Sequence, residues 1–164
     1  MAFANAAGAH AEGKACIASG DYAHAEGISS FSNEYAAHAE GCTTSAIGRY
    51  SHAEGLSSVA NGLNSHAEGY CSIADGKGAH AEGGAQQVGS EEYPGGYASG
   101  EGAHAEGSAT SAIGSFSHAE GYKTLAKGAQ AHAEGMYTVA SGHRSHAEGY
   151  ETYATELYSH ADGC

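Results

Sequence analysis

The chain has 164 residues, of which 26 are Gly, one is Pro and none is Trp, and its formal charge is −13 with neutral histidines. So few large apolar side chains exclude a conventional thick core, while the lone Pro94 and the strict sequence phase argue against collagen, a Pro-rich linker and disorder. Six Lys and Arg against 19 Asp and Glu leave no cation cluster for nucleic acid or an anionic membrane surface, and no stretch is long enough for a transmembrane helix.

The first predicted element, Phe3-Ala4-Asn5-Ala6, is a half-turn in phase with the motif that follows it, and Met1 to Asn5 do not read as a signal peptide. His10 then opens eleven copies of His-Ala-(Glu/Asp)-Gly. The pairs are His10 and Glu12, His24 and Glu26, His38 and Glu40, His52 and Glu54, His66 and Glu68, and His80 and Glu82. They continue as His104 and Glu106, His118 and Glu120, His132 and Glu134, His146 and Glu148, and His160 and Asp162. Every interval is fourteen residues except His80 to His104, which is twenty-four. A fixed short period means that one small unit is stacked along an axis.

Within each unit an Ala-x-Gly recurs seven residues after the first, as at Ala46 and Gly48 or Ala112 and Gly114, usually preceded by a small hydroxyl such as Thr44 or Thr110. The alternation is that of a β-strand. Ser or Ala, Ala and Gly are expected to point into a narrow interior, with His and Glu pointing out. In the second half-turn Thr or Ser, Ala and Gly point in, and pairs such as Val59 and Asn61 point out. Two short strands joined by Gly-assisted turns predict one coil per unit. Parallel stacking at about 4.8 Å puts the whole array over roughly 50 Å. A helix fails, because a Gly every seven residues costs about 1 kcal/mol each. The expected architecture is a single all-β domain, a parallel β-solenoid over residues 1–164.

One insertion, at about residues 84–96, replaces a three-residue turn, and Tyr97 resumes the phase. Glu91, Glu92 and Tyr93 in it are the candidates for contact with a glycan or a neighbouring subunit; a tolerated insertion at a turn is the plainer reading. Two coils carry Glu34 and Glu156 where the second Gly is expected, and these are expected to widen a turn. Tyr22, Tyr50, Tyr70, Phe116, Tyr122, Tyr150 and Tyr158 fall at corners, where stacked rings shield the coil edges or form a carbohydrate-binding stripe. Cys16, Cys42, Cys71 and Cys164 lie coils apart and are expected to be free thiols.

An interior of Ala, Gly, Ser and Thr buries little apolar area, so chains are expected to associate along their length. Ile17, Phe31, Ile47, Val59, Ile73, Ile113, Leu125 and Val139 offer one face for this, and the His/Glu row another. At this point Thr44-Ser45-Ala46-Ile47-Gly48 and Thr110-Ser111-Ala112-Ile113-Gly114 resemble the S-x-A-x-G head repeats of trimeric autotransporter adhesins. The S-H-A-E-G form is also similar to repeats of phage tail-fibre proteins. The resemblance implies a left-handed β-roll, homotrimeric, in an extracellular, cell-surface or virion-associated structure, with a host surface or glycan as partner.

The phase of the two ends predicts that one chain can follow another in register, giving a head-to-tail filament. The function expected is therefore a self-assembling structural fibre, with an adhesive head or tail-fibre segment as the alternative. For the His/Glu row four readings stand: an interchain ladder, a solvated face, a metal series, and acid–base chemistry. Eleven equivalent copies without a distinct nucleophile favour the ladder over an enzyme, and no cofactor is committed. Twelve histidines nearly cancel the negative charge when protonated, so lateral association is expected to change between neutral and mildly acid pH.

Overall fold

Every coil contributes two short strands, and the coils stack into two parallel sheets of eleven strands each. A computed structural model describes residues 1–84, 87–88, 91–92 and 94–163. One sheet carries the motif histidines, as in His24–Ile28 and His118–Tyr122, and the other carries the second half-turns, as in Ser45–Ala46 and Val139–Ala140. Each strand pairs with its own copy one coil away: His24 with His38, Ala25 with Ala39 and Glu26 with Glu40. A slip of one residue would swap inner Ala for outer His, so the pattern itself fixes the register.

The insertion leaves this register intact. His80 pairs with His104 and Ile73 with Tyr97 across it. Its strands Gln87–Val88 and Glu91–Glu92 form a separate antiparallel pair. Tyr93 lies outside the described residues, so the expected partner surface of the loop is described only as this backbone pairing.

The interior is as thin as the composition demands. Ala25, Ala39 and Ala105 from the histidine sheet meet Ala46, Ala60 and Ala112 from the other, all fully buried, and the bulkiest fully buried side chain is Thr. Some buried serines are satisfied locally: Ser51 Oγ donates to the Gly48 carbonyl at 2.6 Å and Ser145 Oγ to that of Gly142 at 2.7 Å, whereas the buried hydroxyls of Ser32, Ser72 and Ser117 make no hydrogen bond. Both corners of a coil use a left-handed residue, such as Asn64 (φ 56°) before a histidine strand and Ser57 (φ 58°) after one.

Two expectations need correction. The Gly after each Glu does not point inward with the alanines. Gly41, for instance, is exposed at φ 110°, and a Cβ there would run into the carbonyl oxygen of Gly55 in the next coil. This glycine is required by its dihedral and by the close approach of stacked backbones. Glu34 and Glu156 do not widen their turns either. Ala37 N–H donates to the Glu34 carbonyl at 3.1 Å and Ser159 N–H to that of Glu156 at 3.1 Å, as Ser51 N–H does to Gly48 at 3.2 Å. Both glutamates are exposed, so the corner turns their side chains outward and keeps its hydrogen bond.

Candidate functional site

In-register pairing turns the histidine motif into columns on one face of the molecule. The rings of His24 and His38 stack with centroids 4.7 Å apart and planes 7° from parallel. The stack runs on through His80 and His104, at 4.8 Å and 2°, so the insertion does not interrupt it. It reaches His146 and His160 at 4.9 Å and 2°. The twelfth histidine, His143, stands at a corner outside this column.

The glutamate column runs beside the rings, each carboxylate meeting a histidine of its own coil or of the next, and Glu40 and Glu148 meeting both. Glu40 places Oε2 at 3.8 Å from Nε2 of His38 in its own coil and Oε1 at 3.9 Å from Nε2 of His52 in the next. His104 shows the complementary view, with Glu82 at 3.4 Å and Glu106 at 3.7 Å. The contact closes to a hydrogen bond between His66 and Glu54 at 3.2 Å and between His80 and Glu68 at 3.3 Å. At His24, His38, His52, His104, His118, His132 and His146 the Nε2 atom is buried and has no hydrogen-bond partner. Mid-column side chains keep roughly a third of their surface exposed, as at His104 (33%), while His10 (61%) and His160 (58%) are more open.

The sequence spacing of two residues between His and Glu reveals the contact within a coil. The contact at twelve residues, from Glu54 to His66, is equally present in the period but depends on which way the carboxylate turns. All the predicted ladder pairs from His10 and Glu12 to His146 and Glu148 lie on this face, and His160 takes its contact from Glu148. Asp162 pairs in register with Glu148 and extends the acidic column by one coil.

Burial, and then the like charge of the rings on either side, hold His52 and His118 below the ordinary imidazole value despite flanking glutamates. Burial and a hydrogen bond to Glu68 push the Glu82 carboxyl up. Burial pushes Glu68 up as well, but its hydrogen bonds with Glu82 and His80 outweigh this and leave it lowered. Glu68 and Glu82 thus do not ionise independently of one another.

The opposite sheet presents a different surface. Ile17, Phe31, Val59, Ile73, Leu125 and Val139 form a half-buried, largely apolar column that is interrupted by Ser45 and Ser111 and continued by the more exposed Tyr97 and Tyr153; Ile47 and Ile113, expected with them, are exposed two residues further on, outside this column. At the corners Tyr35 packs edge-on against Tyr22 and Tyr50 at 5.5 Å, and Tyr137 against Tyr122 at 5.6 Å. Arg49 lies 5.7 Å from the Tyr35 ring and Lys123 lies 5.3 Å from that of Tyr122. Of the corner aromatics expected to stack, Tyr22, Tyr50, Tyr122 and Tyr150 meet edge-on instead, through Tyr35 and Tyr137, which the sequence reading did not single out. Cys16, Cys42 and Cys71 are free, and Cys164 lies outside the described residues.

The YadA head domain repeat, a family defined on two successive copies, matches residues 39–65, 53–79 and 119–145. The matched windows stand on both sides of the insertion, and together they span about two fifths of the chain. In these windows the chain is similar to adhesin head repeats. No curated protein matches the sequence significantly. Among the described residues no helix is long and apolar enough to cross a membrane.

Proposed function

We propose that these adhesin-type head repeats form a structural segment of an extracellular fibre, in which three left-handed rods associate along their length. The observation that carries this reading is the apolar column of Ile17, Phe31, Val59, Ile73, Leu125 and Val139 on a molecule whose interior holds nothing larger than Thr. An exposed stripe of this length on so thin a core is stabilised by a partner. A closed three-fold ring needs two different faces, one meeting the other around the axis. The apolar column is turned toward the axis in such a ring and packs against the flank of the next rod, while the half-exposed His/Glu column, on the opposite sheet, faces away from it.

Continuation of the stack from one molecule to the next belongs to the same proposal. Coil-to-coil pairing is the same throughout, His to His and Ala to Ala, so any coil edge is a template for any other. Sedimentation velocity and electron microscopy test both parts. The expected result is a trimer-mass rod that lengthens with concentration. A species with the mass of one chain at all concentrations overturns the proposal.

A second reading, the adhesive head, rests on the corner aromatics. Tyr22, Tyr35 and Tyr50 form a packed edge with Arg49 alongside, a surface suited to a sugar ring or a host protein. Glycan-array binding that is lost in Tyr35→Ala and kept in His52→Gln favours this reading.

A further inference from the structure

We propose that the ladder is a row of divalent transition-metal sites, each built from the ring nitrogens of two successive histidines and the carboxylate of the glutamate between them. His52, Glu54 and His66 bring one ligand atom each to within 4.8 Å of one another, and His104, Glu106 and His118 do the same on the far side of the insertion. Three protein ligands leave the fourth position of a tetrahedral ion to water. All three come from one chain, so the inference goes beyond the assembly proposed above and does not depend on it.

Three features point to an ion and not to hydrogen bonding alone. Hydrogen bonds to nitrogen run at about 2.7–3.2 Å. Most of the His–Glu contacts are longer, for example 3.7 Å at His146 and 3.8 Å at His38. Around a tetrahedral ion with metal–ligand bonds of about 2.0–2.1 Å, neighbouring ligand atoms lie roughly 3.3 Å apart. The ladder distances straddle that edge length. The buried Nε2 atoms at His52, His104 and His118, which have no hydrogen-bond partner, gain one by ligation. Glutamates held in register one coil apart, such as Glu106 and Glu120, repel one another, and a cation between coils relieves this.

Charge sets the filling. Two carboxylates neutralise one dication, so ions occupy alternate gaps, about one for every two coils. The ring lone pairs lie in planes that stack only 5° from parallel at His52 and His66, so the two rings tilt toward each other to ligate. Imidazole with carboxylate selects zinc, nickel or copper over magnesium or calcium.

The test uses the whole chain, stripped with chelator and dialysed against micromolar Zn2+, with metal counted by inductively coupled plasma emission. About five ions per chain are expected. Glu54→Gln should lose about one ion and Glu54→Gln with Glu120→Gln about two, while Asp75→Asn, on the other sheet, should lose none. A count unchanged by the glutamate substitutions, as for histidines binding singly, overturns the proposal. Co2+ bound to the unaltered chain provides a readout free of any folding defect. Intense tetrahedral visible bands support the sites, and a weak octahedral spectrum contradicts them. Sedimentation of the same samples separates this result from the assembly, because the count is the same for monomer and trimer.

Discussion

The two sheets share one interior, one period and one coil spacing, yet their outer surfaces follow different rules. In the histidine sheet the outward His and Glu return in coil after coil, with Asp162 as the single replacement. In the other sheet the outward position changes from Ile73 to Tyr97 to Ser111 without disturbing the pairing. The inner alanines and the turn glycines therefore suffice for the fold, and the outer residues are free to serve other ends. Constancy on one face marks a role that every coil performs, whereas the other face is mostly apolar and admits Ser45 and Ser111. Fold and function are carried here by alternate residues of the same strands.

The largest expected effect breaks the shared interior. Ala105→Leu places a branched side chain where Ala105 has no exposed surface and faces another alanine layer, and it should cost about 3 kcal/mol in urea unfolding. Gly121→Ala comes next. At φ 108°, with the Gly135 carbonyl directly in its path, the new methyl should cost about 2 kcal/mol. Val139→Ser, on the outer face of the second sheet, should leave the monomer fold intact by circular dichroism and weaken lengthwise association in sedimentation.

Acidification gives a smaller effect, confined to the histidine sheet. His52 and His118 titrate below the ordinary value of 6.5, so the fold favours their neutral form. Their contribution to stability is present above about 6.5. It is lost as the pH falls from there through their folded values, because the unfolded chain takes up protons first. Chelator-treated protein should therefore melt at a lower temperature at pH 5.5 than at pH 7.5, and His52→Gln with His118→Gln should reduce that difference. Smallest is Ala109→Gly, which relieves a left-handed alanine at φ 55° and should stabilise by about 0.5 kcal/mol in thermal melts.

The repeat made the coil, its two strands and the inner alanines legible, because period two within a strand and period fourteen along the chain assign each residue a face. It also placed the insertion at a corner, since Tyr97 returns in phase. The sequence misled at Gly41 and its equivalents. Alternation alone puts them inside, whereas stacked backbones hold them on the surface with positive φ. At Glu34 the missing glycine suggested a distorted turn. The corner hydrogen bond, however, is made by backbone atoms and survives the exchange. The His–Glu column was legible as a row of residues. The reach of Glu40 and Glu148 to the histidine of the next coil was not, because it depends on side-chain rotation, which no periodicity encodes.

The central claim is that three rods associate along their length through the apolar column. Mass per unit length, measured by scanning transmission electron microscopy on unstained particles, tests it most directly. The account predicts three chains in cross-section for every coil rise of about 4.8 Å. A value corresponding to one chain per coil rise would contradict it.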